Sequence, residues 1–272
     1  MTVISCLINR AGTFHATDSL LTRLGPDGQR EPLEWQETKI VPVPAWRGAM
    51  SYWGLALIEQ QWSTLDWLRA QAKRAAQFES AAAFAEALAV ELRRALAGLR
   101  VRRDVDAGIG IHFTAYEWID DYWIPELFLV TNWSDPTYTA LRPTGVGMSR
   151  ETHGTFSGEG PRPDDSDPGR RRAVSRYLQA GGWFIYNNGD PELFNPAANS
   201  ILHMFRTLSK RGILRGADDI GSLGSLTRRP IEVVSAIQHD FCASGTRVVG
   251  GKIHDLAITP TGIHSSTSGD SP

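Results

Sequence analysis

Apolar residues crowd the start of the chain. Val3, Ile4, Leu7 and Ile8 precede a turn at Asn9–Gly12, and a second strand runs over 12–18. The spacing therefore predicts two strands, 2–9 and 12–18. "RLGPDGQREP" (23–32), with Gly, Pro and Asp-Gly, reads as a turn or exposed loop. "TKIVPV" and "GAMSYWG" are short strand candidates, with Pro42 and Pro44 suited to an edge. The period then changes. Leu55, Ile58, Trp62, Leu65 and Leu68 recur every three or four residues and predict a helix over about 55–75. Ser80 is positioned to cap a second helix with an apolar stripe of Phe84, Leu88, Leu92, Ala95 and Leu99, and Glu86, Arg93 and Arg94 on its other face. Strands return at 108–118, 125–133 and 137–143.

Residues 150–172 are poor in apolar side chains and rich in Gly, Pro and charge, the composition of a long mobile loop. The basic run "GRRRAVSR" (169–176) reads as part of it. "GGWFIYNNGD" is a strand and turn. Asp190 and Pro191 start a helix that Pro196 delays or kinks. "RPIEVVSAIQHDFC" is a further helix, "RVVGGKIHDLAIT" a glycine-broken strand, and 265–272 a flexible polar tail. The order of strands, two helices, strands, two helices and a strand fits two sheets face to face with helices outside, in one domain over 2–264.

Composition removes several classes of function. The 272 residues carry 28 Lys and Arg against 30 Asp and Glu, a net charge of −2, so no basic field points to nucleic acid. No apolar run approaches the ~20 residues that cross a membrane, and no signal peptide is visible. These features point to a soluble, cytoplasmic protein. The two cysteines, Cys6 and Cys242, imply neither a disulfide framework nor a CxxC site. The seven histidines show no HxxxH or HExxH spacing, so no metal is expected. "GVG" (145–147) and "GSLGS" (221–225) lack the strand–loop–helix context of a nucleotide site, so no cofactor is expected.

The chemistry-bearing pattern is at the start. Thr2 follows the initiator methionine; Gly12 turns the first hairpin; "ATDS" (16–19) puts Asp18 sixteen residues after Thr2; "TKI" gives Lys39; "SYWGLA" gives Gly54. These residues resemble the proteasome β-subunit family and, more widely, the N-terminal-nucleophile hydrolases. The match is specific over about 2–57 and architectural beyond, where "GGKIHDLAITPTG" resembles the family's closing Gly-Gly strand. The resemblance implies an α+β fold, a four-layer αββα sandwich of two antiparallel sheets flanked by helices. It also implies removal of Met1, with Thr2 then acting through its hydroxyl as nucleophile and through its α-amine as base. Lys39 would tune that amine, Asp18 would orient Lys39, and the Gly54 N–H would stabilise the oxyanion. Family members commonly form rings, so a homo-oligomer is expected; an ATPase partner is not specified.

The chemistry suits those residue types. An α-amine has a reference pKa of about 7.7–8.0, near that of an effective base at cellular pH. A neighbouring lysine cation favours its neutral form. Each residue also has a structural reading: Asp18 as a turn residue, Lys39 as a surface lysine, Gly54 as a helix-start glycine. Asn188 falls about where the family places a serine near the nucleophile; it either positions the amine, lines the substrate pocket, or is a turn amide.

Three departures from the family stand out. The segment between Asp18 and Lys39 is long. Leu20 replaces an arginine. Thr246 and Val249 stand where the family carries an Asp and a Ser that support the terminal amine. Three functions follow: a threonine-type peptidase, an amidohydrolase acting on a small amide, and a silent ring or scaffold protein.

Overall fold

The opening hairpin is β1 (Ile4–Asn9) and β2 (Gly12–Asp18). Asn9 holds its turn, with Oδ1 accepting the Ala11 and Gly12 N–H groups at 2.7 and 3.3 Å. Both strands are buried throughout, which accounts for a run that is apolar without strict alternation. The computed structural model describes residues 3–24, 30–58, 61–97, 108–119, 121–131, 147–151, 168–188, 191–213, 219–242 and 249–267.

β3 (Leu20–Leu24) and β4 (Arg30–Gln36) follow as a ribbon of their own, so strand structure reaches into the turn expected at 23–32. The pairing of these two strands shifts register between Leu20 and Thr22. β5 (Ile40–Val43) and β6 (Gly48–Gly54) match the two short candidates. The helix expected at 55–75 starts later. Residues β7 (Leu57–Ile58) and β8 (Trp62–Ser63) form a small hairpin, and α1 spans Thr64–Arg74. Ser63 sets that boundary, its Oγ accepting the Asp66 N–H at 3.2 Å, while the Thr64 hydroxyl binds the Leu55 carbonyl. The second helix, α2 (Ala81–Ala97), starts where expected, with Ser80 Oγ on the Ala83 N–H at 3.0 Å.

β9 (Ile109–Ile119), β10 (Tyr122–Thr131) and β11 (Gly147–Glu151) come next; the strand expected at 137–143 lies outside the described residues. The loop expected over 150–172 is corrected at both ends, by β11 as far as Glu151 and by α3 (Pro168–Gln179), which takes up the basic run; residues 152–167 lie outside the described residues. Its arginines mask a short stripe in which Val174 and Leu178 are buried against Cys6, Ile8 and Leu127. β12 (Trp183–Asn188) and α4 (Pro191–Lys210) follow, with Pro196 inside the helix. α5 (Ile220–Phe241) begins well before the start read at Arg229, and Pro230 lies within it. Asp219 caps it through the Ser222 N–H and hydroxyl; Gly221, Gly224 and Pro230 had hidden the continuation. β13 (Ile253–Thr259) and β14 (Gly262–Thr267) close the chain, so the polar tail is a strand as far as Thr267. Thr259 Oγ1 accepts the Thr261 and Gly262 N–H groups and fixes that last turn.

The larger sheets are antiparallel and five-stranded, in the orders β12-β1-β2-β13-β14 and β11-β10-β9-β6-β5. Helices α1 and α2 pack on the second through Leu65, Leu68, Phe84 and Leu88 against Met50, Phe113 and Phe128. Helices α4 and α5 pack on the first through Leu202, Leu223 and Leu226 against Leu7, Phe14 and Ile185. Ile40, Ala49 and Tyr116 of one sheet meet Leu256 and Ile258 of the other. The fold is thus α+β, with antiparallel sheets and helices on both.

Candidate functional site

Asp18 ends β2 and is wholly buried, as is Lys39 just before β5. Lys39 Nζ lies 2.9 Å from Asp18 Oδ1 and donates a second hydrogen bond to the Leu20 carbonyl at 2.8 Å. The same Oδ1 accepts the Val3 N–H at 3.0 Å, and Oδ2 accepts the Gly250 N–H at 3.4 Å. The carboxylate is therefore held by one cation and two backbone amides, the arrangement a buried ion pair needs to offset desolvation. Backbone bonds fix both partners: Tyr52 N–H to the Lys39 carbonyl at 3.2 Å, Leu20 N–H to the Gly250 carbonyl at 3.0 Å, and Asp18 N–H to the Val3 carbonyl at 3.4 Å.

Burial lowers the Lys39 pKa from its ordinary value, and Asp18 opposes that shift by charge and hydrogen bond. The alternative of a surface lysine is thus corrected: Lys39 is an internal cation. The Val3 amide is the peptide unit immediately after Thr2, so the Asp18–Lys39 pair is bound to the chain one residue from the expected nucleophile. Thr2 and Thr246 lie outside the described residues.

Gly54 ends β6, two residues beyond Tyr52, with φ of +85°. A Cβ there would lie 2.1 Å from the Gly108 carbonyl oxygen. Both conformation and close approach require glycine at this position, whatever its N–H does.

Asn188 ends β12, paired in register with Ile4 of β1. Its side-chain amide meets His112 Nε2 from the opposite sheet. His112 is buried on β9, edge-on to Trp53 at 5.3 Å and to Tyr186 at 6.5 Å between ring centres. A second buried histidine, His15, joins the sheets through Ser51 Oγ at 3.0 Å and Thr114 Oγ1 at 2.8 Å. Burial lowers both histidines' pKa to about 3, so they are neutral at cellular pH. Cys6 lies beside His15 with its pKa raised by burial, in keeping with a core thiol.

Val249, where the family pattern calls for a polar helper, is buried and binds Gln238 Oε1 through its N–H at 3.0 Å. Sequence reasoning missed the Gly250 amide and the Leu20 carbonyl because they are backbone groups, visible only once the chain has folded back. It also missed His112, whose only signal was a polar residue inside the apolar run "GIGIHF". Among the described residues no group of His, Cys, Asp and Glu is arranged to hold a metal ion.

No family model matches the sequence, and no curated protein matches it. A solved structure of Anbu, the Gly-1 mutant from Hyphomicrobium sp. strain MC1, superposes with a TM-score of 0.50. The superposition covers 100% of this chain and 86% of that one, at 11% identity. Anbu is a proteasome-like protein. This chain has a proteasome-like fold. The likeness extends the resemblance of residues 2–57 to the whole chain at the level of architecture. No helix among the described residues is long and apolar enough to cross a membrane.

Proposed function

We propose that this protein is a threonine-type N-terminal-nucleophile hydrolase that cleaves peptide or other amide bonds after loss of Met1. The observation that carries the reading is the buried Asp18 carboxylate, which binds both Lys39 Nζ and the N–H of Val3. A surface lysine and a turn aspartate would not be buried together against the first peptide unit after Thr2.

In this mechanism the Thr2 Oγ attacks the acyl carbon, and its proton passes to the Thr2 α-amine. The carbonyl electron pair moves to oxygen, where the Gly54 N–H donates. As the carbonyl re-forms, the C–N bond breaks and the leaving nitrogen takes the proton held by the amine. Water then hydrolyses the ester and regenerates Thr2. Lys39 keeps the amine neutral by its charge, and Asp18 holds Lys39 in place. Asn188 assists at the amine. The fold is a four-layer αββα sandwich, supported by the helix packing and by the bonds from His15 to Ser51 and Thr114. The protein works in the cytoplasm as a homo-oligomer, without metal or cofactor.

One observation favours the silent-scaffold reading. Val249 offers only its backbone where a polar side chain would support the amine. Slow turnover is therefore expected. The test is the intact mass of protein purified from its native host. The hydrolase reading requires a chain that starts at Thr2; full retention of Met1 would contradict it.

A further inference from the structure

Where the first half of α5 crosses the outer face of the first sheet, a cavity of about 130 Å³ lies between them. The helix runs from Phe14, against which Leu223 packs, toward Ile253, against which Val234 packs. One end of the cavity is apolar, with Ile220 of α5 over Phe14 and Ala257, which are neighbours across β2 and β13. The other end is charged, with Arg228 of α5 facing Asp255 of β13. Between them α5 offers only Gly221, Gly224 and Ser225. Neither glycine has a positive φ. A Cβ at Gly224 would meet only Asp255 Oδ2, at 4.0 Å, and one at Gly221 only Asp219 Oδ1, at 3.2 Å. Glycine weakens a helix, and no backbone close approach requires it at these two positions. What the pair preserves is space.

The charged end is loosely held. Arg228 Nε is buried and has no hydrogen-bond partner among the described residues. It lies 3.3 Å from Glu232 Oε1 without bonding to it, and Nη1 lies 3.7 Å from Asp255 Oδ2, beyond hydrogen-bond reach. The Arg228 side chain is nevertheless only 18% exposed and that of Asp255 10%. A desolvated guanidinium whose donors lack acceptors is unfavourable. Glu232 is already held by Arg229 at 2.7 Å, so Arg228 and Asp255 are left to balance each other across the cavity.

We infer that this cavity binds a small zwitterion, an α-amino acid with a short apolar side chain. The ligand carboxylate accepts hydrogen bonds from the Arg228 guanidinium, and its ammonium group donates to the Asp255 carboxylate, which keeps its other interactions. The side chain points toward Phe14, Ala257 and Ile220. A zwitterion suits a site whose two charges cancel. An anion alone would be repelled by Asp255, and a cation alone by Arg228. Size narrows the class further: an engineered cavity of about 150 Å³ admits benzene, so about six non-hydrogen atoms fit here, the size of alanine. Binding at this site is independent of the hydrolase chemistry.

The experiment is titration of the full chain with L-alanine, propionate and ethylamine as probes, followed by calorimetry and two-dimensional amide NMR. L-alanine should bind saturably at roughly millimolar concentration and move the amide signals of Gly221, Gly224, Ser225 and Asp255. Propionate and ethylamine each carry one of its two charges and should bind at least about tenfold more weakly. Arg228→Gln should weaken L-alanine binding by roughly tenfold or more. Gly224→Ala places a methyl group in the cavity and should also weaken it, while raising the melting temperature of the ligand-free protein through better helix propensity. That variant keeps the test alive if Arg228→Gln does not fold. Four outcomes overturn the inference: no saturable binding of L-alanine, signal changes centred elsewhere, single-charge probes that bind as tightly as L-alanine, or folded variants that bind it like wild type. A lower melting temperature in Gly224→Ala would also overturn it, since the glycine would then serve packing and not an open cavity. None of these results bears on the hydrolase reading.

Discussion

At the residue scale, the buried Asp18–Lys39 pair bears on stability and, in the proposed function, on the state of the Thr2 amine. Removing one partner leaves an uncompensated internal charge, so Asp18→Ala and Lys39→Met should each destabilise the fold by about 3–5 kcal/mol in urea unfolding. Combining Asp18→Asn with Lys39→Met removes both charges together and should restore most of that stability but no activity. The buried histidines give a second residue-scale expectation. An unfolded histidine takes up a proton near pH 6.5, whereas folded His15 and His112 resist protonation down to about pH 3. The unfolded state then binds more protons, so stability falls as pH drops through that window and is fully regained above it. Each histidine contributes a slope of about 1.4 kcal/mol per pH unit. Urea titrations at several pH values in the window check it, and replacing His15 by Gln should reduce the slope by one histidine's share. Asp18 and Lys39 were legible in the sequence because their spacing from Thr2 follows a known pattern. Asn188 was singled out by the same pattern, but its contact with His112, 76 residues away, was not legible, because a contact between sheets leaves no local periodicity.

At the element scale, caps and glycines decide where strands give way to helices. Ser63→Ala should cost about 1 kcal/mol of stability by uncapping α1. Gly54→Ala should cost about 2 kcal/mol or more, since it combines a positive φ with a clash against the Gly108 carbonyl. If Gly54 also serves the oxyanion, its replacement should reduce labelling beyond what the lost stability explains. The opening hairpin and α2 were readable because pattern, turn and cap agree, as at Asn9 and Ser80. The start of α1 was misread because Leu55, Ile58 and Trp62 mimic a helical stripe while belonging to the strand end and hairpin before it. The first turns of α5 were hidden by Gly221, Gly224 and Pro230, residues that weaken a helix but that the Asp219 cap and buried Leu223 and Leu226 keep in one.

At the scale of the whole molecule, the two larger sheets are joined by side-chain hydrogen bonds as well as apolar contacts. The outer face of α5 presents Val233, Ile237 and Phe241 at four-residue intervals, and Phe241 is 84% exposed. Such a stripe suits the expected self-association. Light scattering should find species larger than the 30.0 kDa chain, and Ile237→Glu with Phe241→Glu should shift them toward monomer. A monomer at all concentrations would remove the oligomer and leave the fold intact. The central claim is that Thr2, freed of Met1 and supported by Asp18 and Lys39, is a working nucleophile. It is tested most directly by peptide-level mass spectrometry after treatment with a β-lactone. The account predicts one ester adduct on Thr2 in the processed wild type and none in Thr2→Ala; a processed chain left unmodified at Thr2 would contradict it.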